Sequence, residues 1–244
     1  MKNAARLAQF ARAAYSESIS VRKRIKDSSL FFEPWQVGNA EGICAANEKV
    51  VVLAIAGTND PADLLNNADF QSITLQRFAL DHEFNFFGFG QSKYHLGFLT
   101  HAGWVAQNCR KYLGHNDQIF ITGHSLGGAA ASLMPLLLPR FKPEVYTFGA
   151  PKTHRKGSPQ SGYDLVRVAN IFDPVTMLPG VLYDHQLSTP LYVRYNGGVK
   201  TTRNLWTRIK QAAFAGYCLT KPKSAIKAAH SMVGYESQLS PFYK

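Results

Sequence analysis

The sequence predicts an α/β protein, a mostly parallel sheet with helices on both faces. Three observations carry that reading. Short apolar runs, each closed by glycine or turn residues, recur along the chain, and stretches of helical spacing lie between them. The runs are apolar on alternate and intervening positions alike, as expected of strands covered on either side. The length, 244 residues with 45% apolar and 18% charged, suits a single core-bearing unit over 1–244 and carries too little charge for disorder.

The elements follow in order. Residues 1–12 read as an amphipathic helix whose stripe, Leu7, Phe10, Ala11, Ala14 and Tyr15, runs on past its end. Arg6 and Arg12 interrupt any apolar signal-peptide core, and the longest apolar stretch, 129–138, is about half the roughly 20 residues that a membrane helix needs. The expectation is a chain with neither Sec signal nor transmembrane helix, either cytoplasmic or exported by a signal-independent route. Residues 50–56 form the first buried strand, ending at Gly57. The stretch 59–94 is too long for an ordinary connection, and long ordered loops tend to be functional. It opens with a short helix over 60–69, Pro61 in its first turn, and closes with Phe84-Asn-Phe-Phe-Gly-Phe-Gly90. That aromatic run either packs as a satellite cluster or meets an apolar partner. A helix over 103–113, strands at 118–122 and 144–148, a helix over 126–138, and strands at 164–170 and 190–195 complete the alternation. His230 is expected on a loop that leads into a final helix.

Lys and Arg number 27 against 16 Asp and Glu, a net charge of +11 that favours anionic partners. From His185 through Tyr235 there is no acidic residue, but there are Arg194, Lys200, Arg203, Arg208, Lys210, Lys221, Lys223 and Lys227. A second cluster is Arg22-Lys-Arg-Ile-Lys26. Such charge is either a solvated surface or a site of attraction to anionic lipid. No helix-turn-helix, RNP or zinc motif accompanies it, so no nucleic-acid partner is expected. Cys44, Cys109 and Cys218 are an odd set with no Cys-x-x-Cys pair, which argues for reduced thiols and against structural zinc.

The chemistry is concentrated in Ile119-Phe-Ile-Thr-Gly-His-Ser-Leu-Gly-Gly128. A serine on a tight strand-to-helix turn, with Gly123 and Gly127 leaving room on either side, is the pattern of an exposed nucleophile. The apolar strand before it and the Ala-rich helix after it supply the context, and Ser125 is the candidate. Serine needs a base, and the base an orienting acid, in the chain order Ser, acid, His. Asp173 stands just beyond a strand end, whereas Asp164 opens that strand and Asp184 follows a further loop. His230 and His185 both come after Asp173; His230, on a late segment able to return to the sheet top, is favoured and His185 is the reserve. His95, His101, His115 and His124 precede Asp173 and break the order, and His124 is read as supporting the turn. The backbone N–H groups of Thr58 and Leu126 are the candidate oxyanion donors, with the Thr58 hydroxyl a third. No metal or organic cofactor is required.

These residues resemble the class 3 lipases, the α/β-hydrolases of the filamentous-fungal triacylglycerol lipase type. Residues 4–16 look like the family's N-terminal helix, Ala56-Gly57-Thr58 like its oxyanion loop, and Asp63-Leu-Leu-Asn-Asn-Ala-Asp-Phe70 like its lid helix. His95-Leu-Gly-Phe98, Thr122-Gly-His-Ser-Leu-Gly-Gly128 and Thr147-Phe-Gly-Ala-Pro151 are similar to further family motifs, and 170–179 and His230 fall where the family places its acid and base. Ile55-Ala56 stands where the family often has Phe-Arg. The resemblance implies an α/β-hydrolase fold with a lid over the active site, within 59–94. It implies a serine carboxylester hydrolase acting on acylglycerols at a lipid–water interface, with possible contact to anionic membrane. A phospholipase A1-type acyl hydrolase is the close alternative; a small-ester or feruloyl-type esterase and a silent lipid-binding module stand further off.

Overall fold

The computed structural model describes residues 1–15, 25, 29–58, 71–86, 89–114, 118–193, 199–201, 209, 213 and 223–242. Helix α1 spans Lys2–Ala13. Strands β1 (Phe31–Val37), β2 (Ala40–Ala46) and β3 (Val50–Ile55) follow as an antiparallel meander. Next come β4 (Ser72–Thr74), α2 (Leu75–Asp81), β5 (Lys93–His95), α3 (Leu96–Cys109), β6 (Gln118–His124), α4 (Leu126–Leu137) and β7 (Glu144–Phe148). The chain continues through β8 (His154–Arg155), β9 (Leu165–Asn170), β10 (Tyr183–Asp184), β11 (Thr189–Val193) and β12 (Val199–Lys200). It ends in α5 (Lys223–His230) and α6 (Met232–Leu239).

The principal sheet runs β1-β2-β3-β6-β7-β9-β11-β12. Its centre, β3 through β11, is parallel, and antiparallel strands close both edges. β3 illustrates why both faces read as apolar. Val51, Leu53 and Ile55 point into the core beneath α3 and α4, while Val52 and Ala54 point into the core beneath α1 and α6. In α1, Ala4, Ala5, Ala8 and Ala11 are fully buried, so small side chains let the helix lie close on the sheet. An Arg12–Glu236 ion pair joins α1 to α6.

The predicted elements form with modest shifts. The helix expected over 103–113 starts earlier, at Leu96, because the His95 side chain caps it by accepting the Phe98 N–H. The stretch 59–94 is not one long connection. Its second half builds β4, α2 and β5, and the strands join β8 and β10 in a second sheet of order β10-β8-β5-β4. Phe84 packs on the main core, its ring stacked on Phe78, whereas Phe89 is exposed. The helix expected over 60–69 lies outside the described residues, as do Arg194, Arg203, Arg208, Lys210, Lys221 and the basic residues of 22–26. His230 is the last residue of α5 rather than part of a loop; extended backbone at Ser231 then restarts the helix as α6. Among the described residues no helix is long and apolar enough to cross a membrane.

Candidate active site

The carboxyl ends of the parallel strands bring three distant stretches together. β6 ends at His124 and α4 begins at Leu126, with Ser125 as the hinge at φ 58°, ψ −127°. A non-glycine residue in that region is strained and persists only where its surroundings hold it. Here the Ser125 N–H donates to the Phe148 carbonyl at 3.0 Å, and the Ser125 carbonyl accepts the Ala129 N–H at 3.0 Å. The flanking glycines follow from close approach. A Cβ on Gly123 would collide with the Gly127 carbonyl, and one on Gly127 with the carbonyls of Ile55 and Ala56. Leu126 opens the helix, so its N–H has no intrahelical acceptor. Thr58, half-buried, follows the end of β3 alongside.

Asp173 stands three residues beyond β9 and caps a 3₁₀ turn, Pro174–Met177. Its Oδ1 accepts the Val175 N–H at 2.9 Å. Its Oδ2 accepts two side-chain donors, His230 Nδ1 at 2.7 Å and the Tyr235 hydroxyl at 2.6 Å. Burial and the adjacent Asp173 charge push the Tyr235 phenol well above its ordinary pKa, so it remains a donor, and its oxygen accepts the Asn170 N–H at 2.8 Å. The carboxylate can only accept, so in a neutral His230 ring the hydrogen sits on Nδ1 and the lone pair on Nε2.

Ser125, Asp173 and His230 all have 0% exposure. The sequence predicts one hydrogen-bonded row through the three. The row is closed between acid and imidazole but open at the serine: Ser125 Oγ and His230 Nε2 are each buried without a hydrogen-bond partner. Contacts between a catalytic nucleophile and its base commonly tighten only around the reacting group. Both atoms therefore retain free hydrogen-bonding capacity toward whatever enters.

His185, the reserve candidate, is engaged elsewhere, its Nε2 donating to the Thr176 carbonyl at 3.0 Å. A second serine–histidine contact, Ser158 Oγ to His154 Nε2 at 3.0 Å, is structural. His154 Nε2 also meets the Pro159 carbonyl at 2.9 Å and so carries the hydrogen, while the Ser158 hydroxyl donates to Arg155. A serine facing an N–H has no base. Among the described residues no group of three or more His, Cys, Asp and Glu converges to hold a metal. Tyr235, Asn170 and Tyr15 belong to the site's hydrogen-bond network, yet no local pattern singles out any of them for it. Tyr15 is read only as part of an apolar stripe, and its contact with His124 spans 109 residues of sequence.

The sequence model of the lipase (class 3) family matches residues 52–183, more than half of the chain. The chain belongs to the class 3 lipase family. Among curated relatives, the "secreted mono- and diacylglycerol lipase 1" of Fusarium solani is 27% identical over 157 residues, 59% of this chain and 44% of its own. The "phospholipase A1-Ialpha2, chloroplastic" of Arabidopsis thaliana is 27% identical over 95 residues, 33% of this chain and 20% of its own. The chain thus matches less than half the length of either. Among solved structures, a mutant form of MDLA from Penicillium cyclopium superposes with a TM-score of 0.65 at 16% identity, over 96% of this chain and 94% of that one. The Lip2 lipase of Yarrowia lipolytica gives 0.60 at 18% identity, over 77% and 76%. The fold is that of the α/β-hydrolases. The family match contains Ser125 and Asp173 but stops short of His230 and begins after Tyr15, so those two enter the site through tertiary geometry alone.

Proposed function

We propose that this chain is a serine carboxylester hydrolase that cleaves acylglycerol esters at a lipid–water interface. The observation that carries the reading is the Asp173–His230 bond at 2.7 Å together with a strained, buried Ser125 whose Oγ has no competing partner. Ser125 Oγ attacks the ester carbonyl while His230 Nε2 takes its proton; Asp173 holds the Nδ1–H and stabilises the ring as it becomes charged. The N–H groups of Thr58 and Leu126 bind the developing oxyanion, each such donor contributing about 3–4 kcal/mol to the transition state. His230 then returns the proton to the departing alcohol, and water repeats the sequence on the acyl-enzyme. The residues require no metal or cofactor for these steps.

Complete burial of all three side chains means that an ester reaches Ser125 only after the chain over the site moves. That fits an enzyme opened by a lipid surface, with the lid drawn from 59–94. The second reading, phospholipase A1-type hydrolysis, draws support from the Arabidopsis relative and from the +11 charge. A fluorophosphonate probe tests the chemistry: wild type is labelled at Ser125, and Ser125→Ala loses both labelling and ester turnover by at least about a thousandfold while keeping its fold. Turnover retained in Ser125→Ala overturns the assignment. Parallel rates on tributyrin, a long-chain triglyceride, and neutral and anionic phospholipid vesicles separate the two readings.

A further inference from the structure

His124, between Gly123 and Ser125, is buried beside the base, its ring centroid 4.4 Å from that of His230. Its Nε2 lies 2.7 Å from the His230 backbone carbonyl. A carbonyl only accepts, so Nε2 carries a hydrogen. Its Nδ1 lies 2.7 Å from the Tyr15 oxygen. Burial first, and the neighbouring His230 second, drive the His124 ring well below the ordinary imidazole pKa, so it stays neutral and Nδ1 holds a lone pair. The Tyr15 hydroxyl, itself made less acidic by burial, must then donate to Nδ1. The Tyr15 oxygen also lies against Gly57, 2.8 Å from where a Cβ on that residue would stand. One chain of donors therefore runs from Tyr15 through His124 to the carbonyl of His230, with Gly57 packed against its start. Its direction is fixed at the far end by a carbonyl that can only accept.

We propose that Tyr15 and His124 are paired positioning residues, which lock the oxyanion segment Gly57-Thr58 and the base His230 at a set separation across Ser125. The proposal rests on the reading of Ser125, Asp173 and His230 as the reacting groups. Neither Tyr15 nor His124 touches the ester. Space supports the arrangement: a Cβ on Gly57 would sit 2.6 Å from the His124 carbonyl oxygen and 2.8 Å from both Ser125 Cβ and the Tyr15 oxygen. The segments are already in contact, and only the hydrogen bonds decide their register. Tyr15 lies just beyond α1, so the N-terminal helix anchors the site although it contributes no reacting atom.

The test uses the full chain and a soluble short-chain p-nitrophenyl ester. Tyr15→Phe keeps the ring and removes the hydroxyl; His124→Phe keeps a planar ring and removes both nitrogens. Each should lower kcat by about 10- to 100-fold with KM within about threefold, the scale of one or two buried hydrogen bonds lost where the transition state needs them. The double variant should be no slower than the worse single, because either change breaks the same chain. His124→Gln, which restores a donor toward the His230 carbonyl, should recover part of the rate. In wild type, side-chain ¹⁵N spectra should place His124 as the neutral Nε2–H tautomer from pH 5 to 9, and Tyr15→Phe should shift its Nδ1 resonance. Rates within twofold of wild type in both single variants overturn the proposal, as do additive losses or a titrating His124. If Ser125→Ala and His230→Ala are inactive while Tyr15→Phe is unimpaired, this inference fails and the triad stands; activity in Ser125→Ala removes the triad itself.

Discussion

The acid–base pair is constrained by a residue with no side chain. Gly149 follows β7 at φ 59°, and a Cβ there would lie 2.8 Å from Asp173 Oδ2 and 3.0 Å from His230 Cε1. Backbone and side-chain demands therefore coincide. Gly149→Ala should move the Asp173–His230 pair before it unfolds the protein, lowering kcat by an order of magnitude or more while costing only about 1–2 kcal/mol of stability. Parallel measurement of turnover and urea midpoint checks this; a large stability loss with normal turnover in the folded fraction would mean that the pair does not sense position 149. Residue identity was legible in the sequence where chemistry has few options. A serine between two glycines calls for a later acid and a still later histidine, which leaves His185 and His230 as candidate bases after Asp173. The order alone does not choose between them, and His230 is favoured only by its place on a late segment. Tyr235 was not legible, because its value lies in reaching Asp173 Oδ2 at 2.6 Å, a contact that helix spacing does not encode.

At the scale of elements, legibility followed length. Strands of five to seven mostly buried residues such as β6 and β7 declare themselves by apolar runs, but β4, β5, β8 and β10 have two or three residues each, too few to show a period. The small sheet they form was therefore hidden inside a stretch that reads as one loop. Its outer end carries a feature relevant to lipid. After the 3₁₀ turn that follows Asp173, Val181 and Leu182 stand 83% and 46% exposed, with Phe172 nearby in sequence and also exposed. Beneath them Lys152 Nζ donates to the Gly180 carbonyl at 2.9 Å, and Lys156 is exposed. Apolar tips over a basic base suit insertion among anionic headgroups. On the interfacial reading, Val181→Ser with Leu182→Ser should weaken binding to anionic vesicles several-fold and slow hydrolysis of dispersed lipid, while leaving turnover of a monomeric short-chain ester within twofold. Equal losses on both substrates would place these residues in the acyl path instead of at the interface.

For the molecule as a whole, the two cores on either side of the sheet enclose ionisable groups that folding must keep neutral. His101 lies inside α3 facing the core, 7% exposed, with Nε2 unpartnered, and burial pushes its pKa down to about 4. His124 is displaced in the same direction. An unfolded histidine binds a proton near pH 6.5, so between there and about pH 4 the unfolded chain holds more protons than the folded one. The contribution of His101 is therefore fully present above pH 6.5 and is lost as pH falls toward 4, amounting to about 3 kcal/mol, a substantial share of a typical domain's 5–15. The +11 net charge works in the same sense, since acid protonates carboxylates and adds to self-repulsion. Salt separates the two. Repulsion among surface charges is screened at 0.5 M salt, whereas the desolvation of a core imidazole is not. Urea unfolding at pH 7 and pH 4.5 in high salt should thus still show a marked fall in wild-type stability. His101→Leu, which fills the same space without a titrating group, should flatten that fall by about 2–3 kcal/mol. Parallel stability curves for the two proteins would place the acid sensitivity elsewhere, at His124 and His154, whose rings burial also holds below the ordinary imidazole pKa.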